Sequence, residues 1–126
     1  MHPFRAALEE RNRDAAIALV AKDVEFRSPV VFKPYRGRSA VREILGAVGQ
    51  VMEDWRCVRE IGAPDAPDHA LVFKARIGDK EIEGCDFLHS NEEGLIDEFY
   101  VMVRPLSAAL ALAEAMQAQL EAAPTA

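Results

Sequence analysis

Residues 81–104, EIEGCDFLHSNEEGLIDEFYVMVR, decide the fold. Glu81 to His89 and Leu95 to Arg104 read as strands, and Asn91-Glu92-Glu93-Gly94 between them is turn composition. The two strands therefore pair as an antiparallel hairpin. Both faces of the second strand are apolar, with Phe99, Val101 and Val103 on one and Tyr100 and Met102 on the other. In the first strand Asp86 shares the parity of Ile82, Gly84 and Leu88, a carboxyl on an otherwise apolar face.

Working back from the hairpin, Gly78-Asp79-Lys80 joins it to a strand over His69 to Ile77. A loop holding Pro64 and Pro67 leads back to another strand, Trp55 to Ile61. Before it, Val41, Ile44, Leu45, Val48 and Met52 recur at helical spacing and predict a helix from about Ser39 to Glu53. Residues 30–37 contain Pro34 and Gly37 and read as a loop, and Val24 to Ser28 alternates as a strand stopped by Pro29. Phe4, Ala7, Leu8 and Arg11 share one face of a first helix that Pro3 can open, because its missing donor is no loss there. Asn12-Arg13-Asp14 breaks that pattern, and Asp14 is the expected cap of a second short helix carrying Ile17, Val20 and Ala21. Beyond the hairpin, Pro105 ends the last strand. Residues 106–121 read as a closing helical extension, with Leu106, Leu110, Ala113, Met116 and Leu120 on one side. An Ala-rich tail, residues 122–126, follows.

Two helices, a strand, a helix, an antiparallel meander and a last helix make an α+β domain. The expected architecture is one domain over residues 1–126: a curved antiparallel sheet packed on N-terminal helices, with an added C-terminal helix. The doubly apolar last strand needs a cover on its second face. A partner subunit bound there through Tyr100 and Met102 is the simplest one, which predicts a homodimer. The C-terminal helix folded back over that face is the alternative.

Composition agrees with a globular chain, at 50% hydrophobic and 29% charged residues. The net charge is −6, and it is uneven: residues 1–63 carry 11 basic and 9 acidic groups, residues 64–126 carry 4 and 12. Such a surface disfavours nucleic acid and anionic membranes as partners. The N-terminus enters a helical pattern at once, without the pattern of an export signal, so a cytoplasmic location is expected. Cys57 and Cys85 fit no metal or redox spacing and read as two reduced structural thiols. No cofactor or metal is expected, since Gly37, Gly46 and Gly49 fit no nucleotide motif and no His/Cys/Asp spacing suits a metal.

Three stretches carry a resemblance that spans Phe4 to Arg104. They are Phe4 to Leu8 with Val24 to Val30, then Tyr35-Arg36-Gly37-Arg38-Ser39-Ala40-Val41, then Ile82 to Leu88 with Glu93-Gly94-Leu95-Ile96. The chain resembles the nuclear transport factor 2-like superfamily, in its SnoaL-like and ketosteroid isomerase-like branch. The resemblance implies a cone with a mostly apolar pocket at one end, and pairing through the convex face of the sheet. It is specific for fold and not for activity, because the superfamily hosts isomerases, dehydratases, cyclases, hydrolases and non-catalytic binders.

What it implies for chemistry differs by branch. Ketosteroid isomerase-like sites use an aspartate base with an oxyanion hole of a tyrosine and a protonated aspartate. Asp86 matches the oxyanion-hole aspartate, eight residues before Gly94, but Ser28 stands at the base position and Phe4 at that of the tyrosine. Limonene-epoxide hydrolase-like sites need an arginine where Gly84 stands and an aspartate where Val101 stands. Scytalone dehydratase-like sites need paired cavity histidines, and His2, His69 and His89 are not placed for that. SnoaL-type cyclases put an acid on a cavity strand, where Asp97 is the candidate but sits at the strand entrance.

Asp86 is thus the candidate catalytic residue, with two readings: a neutral hydrogen-bond donor to a ligand, or a structural group bonded to backbone or arginine. Val20, Ser28, Val30, Leu45, Trp55, Leu88, Phe99, Val101 and Val103 are the candidate walls of the pocket. Their apolarity points to a small apolar ligand. Arg27, Arg36, Arg38 and Arg56 offset the acidic second half, or else meet an acidic ligand at the mouth. Two functions follow. One is a SnoaL-like protein binding a small apolar molecule, with isomerase, cyclase or dehydratase-type chemistry at Asp86. The other is a non-catalytic dimeric binding or accessory protein using the same pocket.

Overall fold

The structure is a computed structural model describing residues 1–122; the rest of the Ala-rich tail lies outside the described residues. Helix α1 spans Pro3–Glu9, with Pro3 in its first turn and His2 as N-cap, its ring nitrogen accepting from the Phe4 amide at 3.0 Å. Arg11, in the left-handed region at φ 56°, turns the chain sharply, so α2 (Arg13–Ala18) begins at once. Its cap is therefore Asn12, whose Oδ1 accepts from the Ala15 amide at 3.0 Å, and not Asp14. Asp14 lies in the first turn and pairs with Arg42 at 2.5 Å.

Strand β1 (Val20–Arg27) starts four residues earlier than the alternation suggests. Ile17, Val20 and Ala21 fit a helical stripe, yet Val20 and Ala21 are buried as strand residues and Val20 pairs with Ile96. A register shift between Val20 and Glu25 hides the period-two signal. The next residues hold β2, only Tyr35–Arg36, and then α3 (Arg38–Val51), which buries Val41, Ile44 and Ala47. The meander follows as β3 (Glu53–Ile61), β4 (Asp68–Ile77), β5 (Lys80–Ser90) and β6 (Ile96–Arg104), and α4 (Leu106–Ala122) closes the chain.

The six strands form one curved sheet in the order β2-β1-β6-β5-β4-β3. The fold class is α+β, with helices gathered against one face. The sheet is mixed, since β1 runs parallel to β6, with Phe26 opposite Phe99. That pairing joins segments some 70 residues apart and leaves no local trace in the sequence.

The concave face carries two apolar clusters. In the first, Phe99 meets Phe4 edge-on at 5.3 Å and Phe26 edge-on at 5.0 Å, tying α1 and β1 to the sheet. In the second, Met52, Phe73, Ala75 and Ile82 pack against Ala108 and Leu112 of α4, with Trp55 stacked on Phe73 at 5.6 Å. Helix α4 therefore lies on the concave side, against α3 and β4–β6 of its own chain. The outer face, with Met102 58% exposed, is left without that cover.

The buried side of α4 is Ala108, Leu112 and Met116, while Leu106 and Leu110 are exposed. The expected stripe is corrected by packing at Leu106 and Leu110, while Ala113, Met116 and Leu120 do turn inward; α4 is apolar on more than one side, so its periodicity does not choose a face.

Gly84 faces Phe73 across the β4–β5 ladder, and a methyl there would press into the Phe73 ring and come within 2.8 Å of the Met102 carbonyl oxygen. Gly84→Ala should lower unfolding stability by about 1–3 kcal/mol, the usual cost of overpacking, as read by urea denaturation at unchanged far-UV circular dichroism.

Candidate functional site

Between the two clusters lies a cavity of about 950 Å³. The apolar walls come from both: Phe26, Ile44 and Phe99 on one side, Met52, Phe73 and Leu112 on the other. Exposed residues of the α1–α2 turn, the β1–β2 loop and the ends of α3 and α4 surround its mouth.

Asp86 faces this space from β5, at 4% exposure. No backbone or side-chain group among the described residues hydrogen-bonds to its carboxyl, and burial alone pushes its pKa up to about 8. At neutral pH it is mostly the neutral acid, with one O–H to donate. The alternation of β5 puts it there: Ile82, Gly84, Asp86 and Leu88 point to the concave side, and Asp86 stands opposite Leu71 and Val101 in the ladder.

Of the residues expected to line the pocket, Ser28, Val30, Leu45, Trp55, Phe99 and Val101 do so together with Asp86. Val20, Leu88 and Val103 do not. Val20 and Leu88 are closed off inside the first cluster, at 0% and 2% exposure, and Val103 packs against the second. Strand parity names a face but does not say which of its residues are covered by helices.

Ser28 is engaged locally: its Oγ accepts from the Val31 amide at 2.9 Å and the Val30 amide at 3.3 Å, closing the turn after β1. Phe4 is fully buried in the aromatic cluster. Gly84 leaves the space that the Phe73 ring fills, so an arginine has no room there. The histidines lie elsewhere. His2 caps α1, His69 Nε2 bonds the Ala63 carbonyl at 2.8 Å, and His89 Nδ1 bonds Asp97 Oδ1 at 2.6 Å, which also occupies Asp97 outside the cavity.

The four arginines of the strand–loop region do not reach the cavity. Arg27 and Arg36 pair with Glu25, Arg38 donates to the Val20 carbonyl, and Arg56 donates to the Asp54 carbonyl. Cys57 and Cys85 are half-buried free thiols, both raised in pKa by burial. Among the described residues no group of three His, Cys, Asp or Glu side chains is placed to hold a metal.

Sequence reading missed Tyr35, the lining of α4 and, at the mouth, Arg11 and Arg13. The phenol of Tyr35 is brought in by the two-residue β2, where Tyr35 pairs with Phe26 of β1. Nothing in the local pattern of residues 30–37 marks that bridge. Gly46 inside α3, where the helix has no turn to make, is the one signal that a side chain crosses it closely.

Comparison with known proteins gives one family model and several structures. The model described as "SnoaL-like domain" matches residues 2–99. A protein with a cystatin-like fold from Silicibacter pomeroyi DSS-3 is 36% identical at a TM-score of 0.88, over 97% of this chain and 88% of its own. A steroid delta-isomerase from Pseudomonas aeruginosa is 36% identical at a TM-score of 0.86, over 92% of this chain and 85% of its own. An NTF2-like protein from Cytophaga hutchinsonii ATCC 33406 shares the fold at 18% identity and a TM-score of 0.63, over 84% and 88%. No curated protein matches the sequence.

The buried acid has a stability signature. Its ordinary pKa near 3.8 is that of the unfolded chain, so between about pH 4 and pH 8 the folded state holds a proton that the unfolded state has lost. Asp86 therefore takes stability away as pH rises through that window, at up to about 1.4 kcal/mol per pH unit. Asp86→Asn should equal the parent near pH 4 and exceed it increasingly up to pH 8, as read by urea denaturation at pH 4, 6 and 8.

Proposed function

Because the chain belongs to the SnoaL-like domain family, we propose that its cavity binds a small apolar molecule bearing an oxygen acceptor, with Asp86 as the hydrogen-bond donor. One observation carries this reading: a buried, unpaired carboxyl, neutral at pH 7, facing an otherwise apolar cavity. A group like that costs stability without a partner, and a ligand carbonyl or hydroxyl oxygen would supply one.

The chemistry such a donor can assist is of the isomerase, cyclase or dehydratase type, in which negative charge or a proton accumulates on a substrate oxygen. The neutral Asp86 O–H would donate to that oxygen and stabilise the developing charge. The likeness to a steroid delta-isomerase supports an isomerase-type reading in general terms. A second reading, a binding or accessory protein without turnover, is favoured by a specific observation. Ser28 and Phe4, at the positions matched to a base and a phenol, are committed to a turn and to the core.

The protein is further proposed to be a homodimer through the outer face of the sheet. Val58, Phe87 and Met102 are 50%, 41% and 58% exposed there, and Arg27 stacks over Tyr100 at 5.1 Å beside them. No helix among the described residues is long and apolar enough to cross a membrane, and a cytoplasmic location with both thiols reduced is part of the same reading.

Native mass spectrometry beside a denatured aliquot tests the assembly and the ligand together. The expected species is twice 13.9 kDa plus a small molecule lost on denaturation, and Met102→Glu should return it to 13.9 kDa. A monomeric parent overturns the dimer. With the released molecule as substrate, Asp86→Asn should keep binding and lower turnover by about a hundredfold or more if the protein is an enzyme. Unchanged chemistry removes Asp86 from that role, and no turnover in the parent favours the binding protein.

A further inference from the structure

Two arginines at the cavity mouth have no carboxylate partner among the described residues: Arg11 and Arg13, from the turn between α1 and α2. Other arginines nearby are used up. Arg5 pairs with Glu9 and Glu60, and Arg42 with Asp14. Both free guanidinium groups are instead laid against α3. Arg11 Nη2 donates to the Gly49 carbonyl at 2.8 Å, which leaves its other N–H groups free. Arg13 passes over Gly46, where a methyl would overlap its Nη1.

Gly46 and Gly49 are three residues apart in α3, and so lie on one face of the helix. Glycine inside a helix weakens it, and neither has a positive φ that would require glycine. At Gly46 the missing side chain is what lets an arginine of another element lie across the helix. The remaining polar lining of the mouth is Asn12, Gln50, Gln117 and Glu121. The Glu121 carboxylate, the one negative charge among them, accepts from Gln117 at 3.2 Å.

This leaves two guanidinium groups without an ion-pair partner at the mouth, with Glu121 also at the mouth and Glu10, Asp14 and Arg42 beside them, above apolar walls and a mostly neutral acid. Guanidinium groups match a carboxylate in planarity and donor spacing. We infer that the ligand is an amphiphile carrying a carboxylate, which Arg11 and Arg13 receive at the rim while its apolar body fills the cavity toward Asp86. The inference rests on the ligand-binding reading above and deepens it: the rim selects acids among apolar molecules.

A matched pair of probes tests this: 6-acetyl-2-naphthoate and its methyl ester, titrated calorimetrically into the 126-residue chain at low salt. The acid should bind about tenfold tighter than the ester, with the advantage shrinking as salt rises. Arg11→Gln/Arg13→Gln should abolish the preference, so that acid and ester bind the variant with equal affinity. Gly46→Ala should reduce the preference while raising the melting temperature, because the methyl displaces only a flexible arginine end and suits the helix. Equal affinity of acid and ester in the parent, or a preference that survives the double substitution, overturns the carboxylate inference and leaves the apolar cavity standing. Binding of neither probe overturns the cavity reading, and the inference with it.

Discussion

The packing of Phe99 against Phe4 and Phe26 holds the two halves of the molecule together. Phe99 belongs to the meander, Phe26 to the strand that joins it in parallel, and Phe4 to the first helix. Edge-on contacts at 5.0 and 5.3 Å fix three elements that are distant in sequence at one point of the concave face. That corner also takes in Val41 and Ile44 of α3, and α4 closes the other end against Phe73. What stays open between the two clusters is the cavity.

Its chemistry follows from desolvation. A lone carboxyl in an apolar setting stays protonated well above its ordinary range, which makes it a donor rather than a base. Donating to a ligand oxygen suits the protonated state that predominates at neutral pH. Other groups that would assist are absorbed by structure: Ser28 by its turn and the His89–Asp97 pair by one another. Polarity returns toward the mouth, where Arg11 and Arg13 stand among Asn12, Gln50, Gln117 and Glu121. The site is thus graded from a neutral acid through apolar walls to a polar mouth.

Much of the fold was legible because its elements obey simple periods. The β5–β6 hairpin declares itself by alternation and by the turn at Asn91–Gly94, and α3 by apolar residues at helical spacing. Asp86 was legible for the same reason, since alternation alone sends it to the face of Ile82 and Leu88. Elements read less well where two patterns coincide. Val20 and Ala21 satisfy both a helix and a strand, and pairing with Ile96 decides. The α4 stripe was misread at Leu106 and Leu110 because a helix with apolar residues on more than one side carries little orientation of its own.

The sequence by itself determined the order of the helices and longer strands, the α+β class, and that one acid, Asp86, interrupts the apolar face of β5. Tertiary structure alone decided the parallel β1–β6 pairing, the side of the sheet that α4 covers, and which inward residues line space rather than core. It also chose which arginines stand at the mouth: four of the strand–loop region turn to Glu25 or to backbone, while from the helical turn Arg13 passes over Gly46 of α3 and Arg11 bonds the Gly49 carbonyl. The physical reason is the range of each signal. Periodicity and turn chemistry act over a few residues and survive in any sequence window. Cavity, cover and charge placement depend on contacts between distant segments, whose energies appear only once the chain has closed on itself.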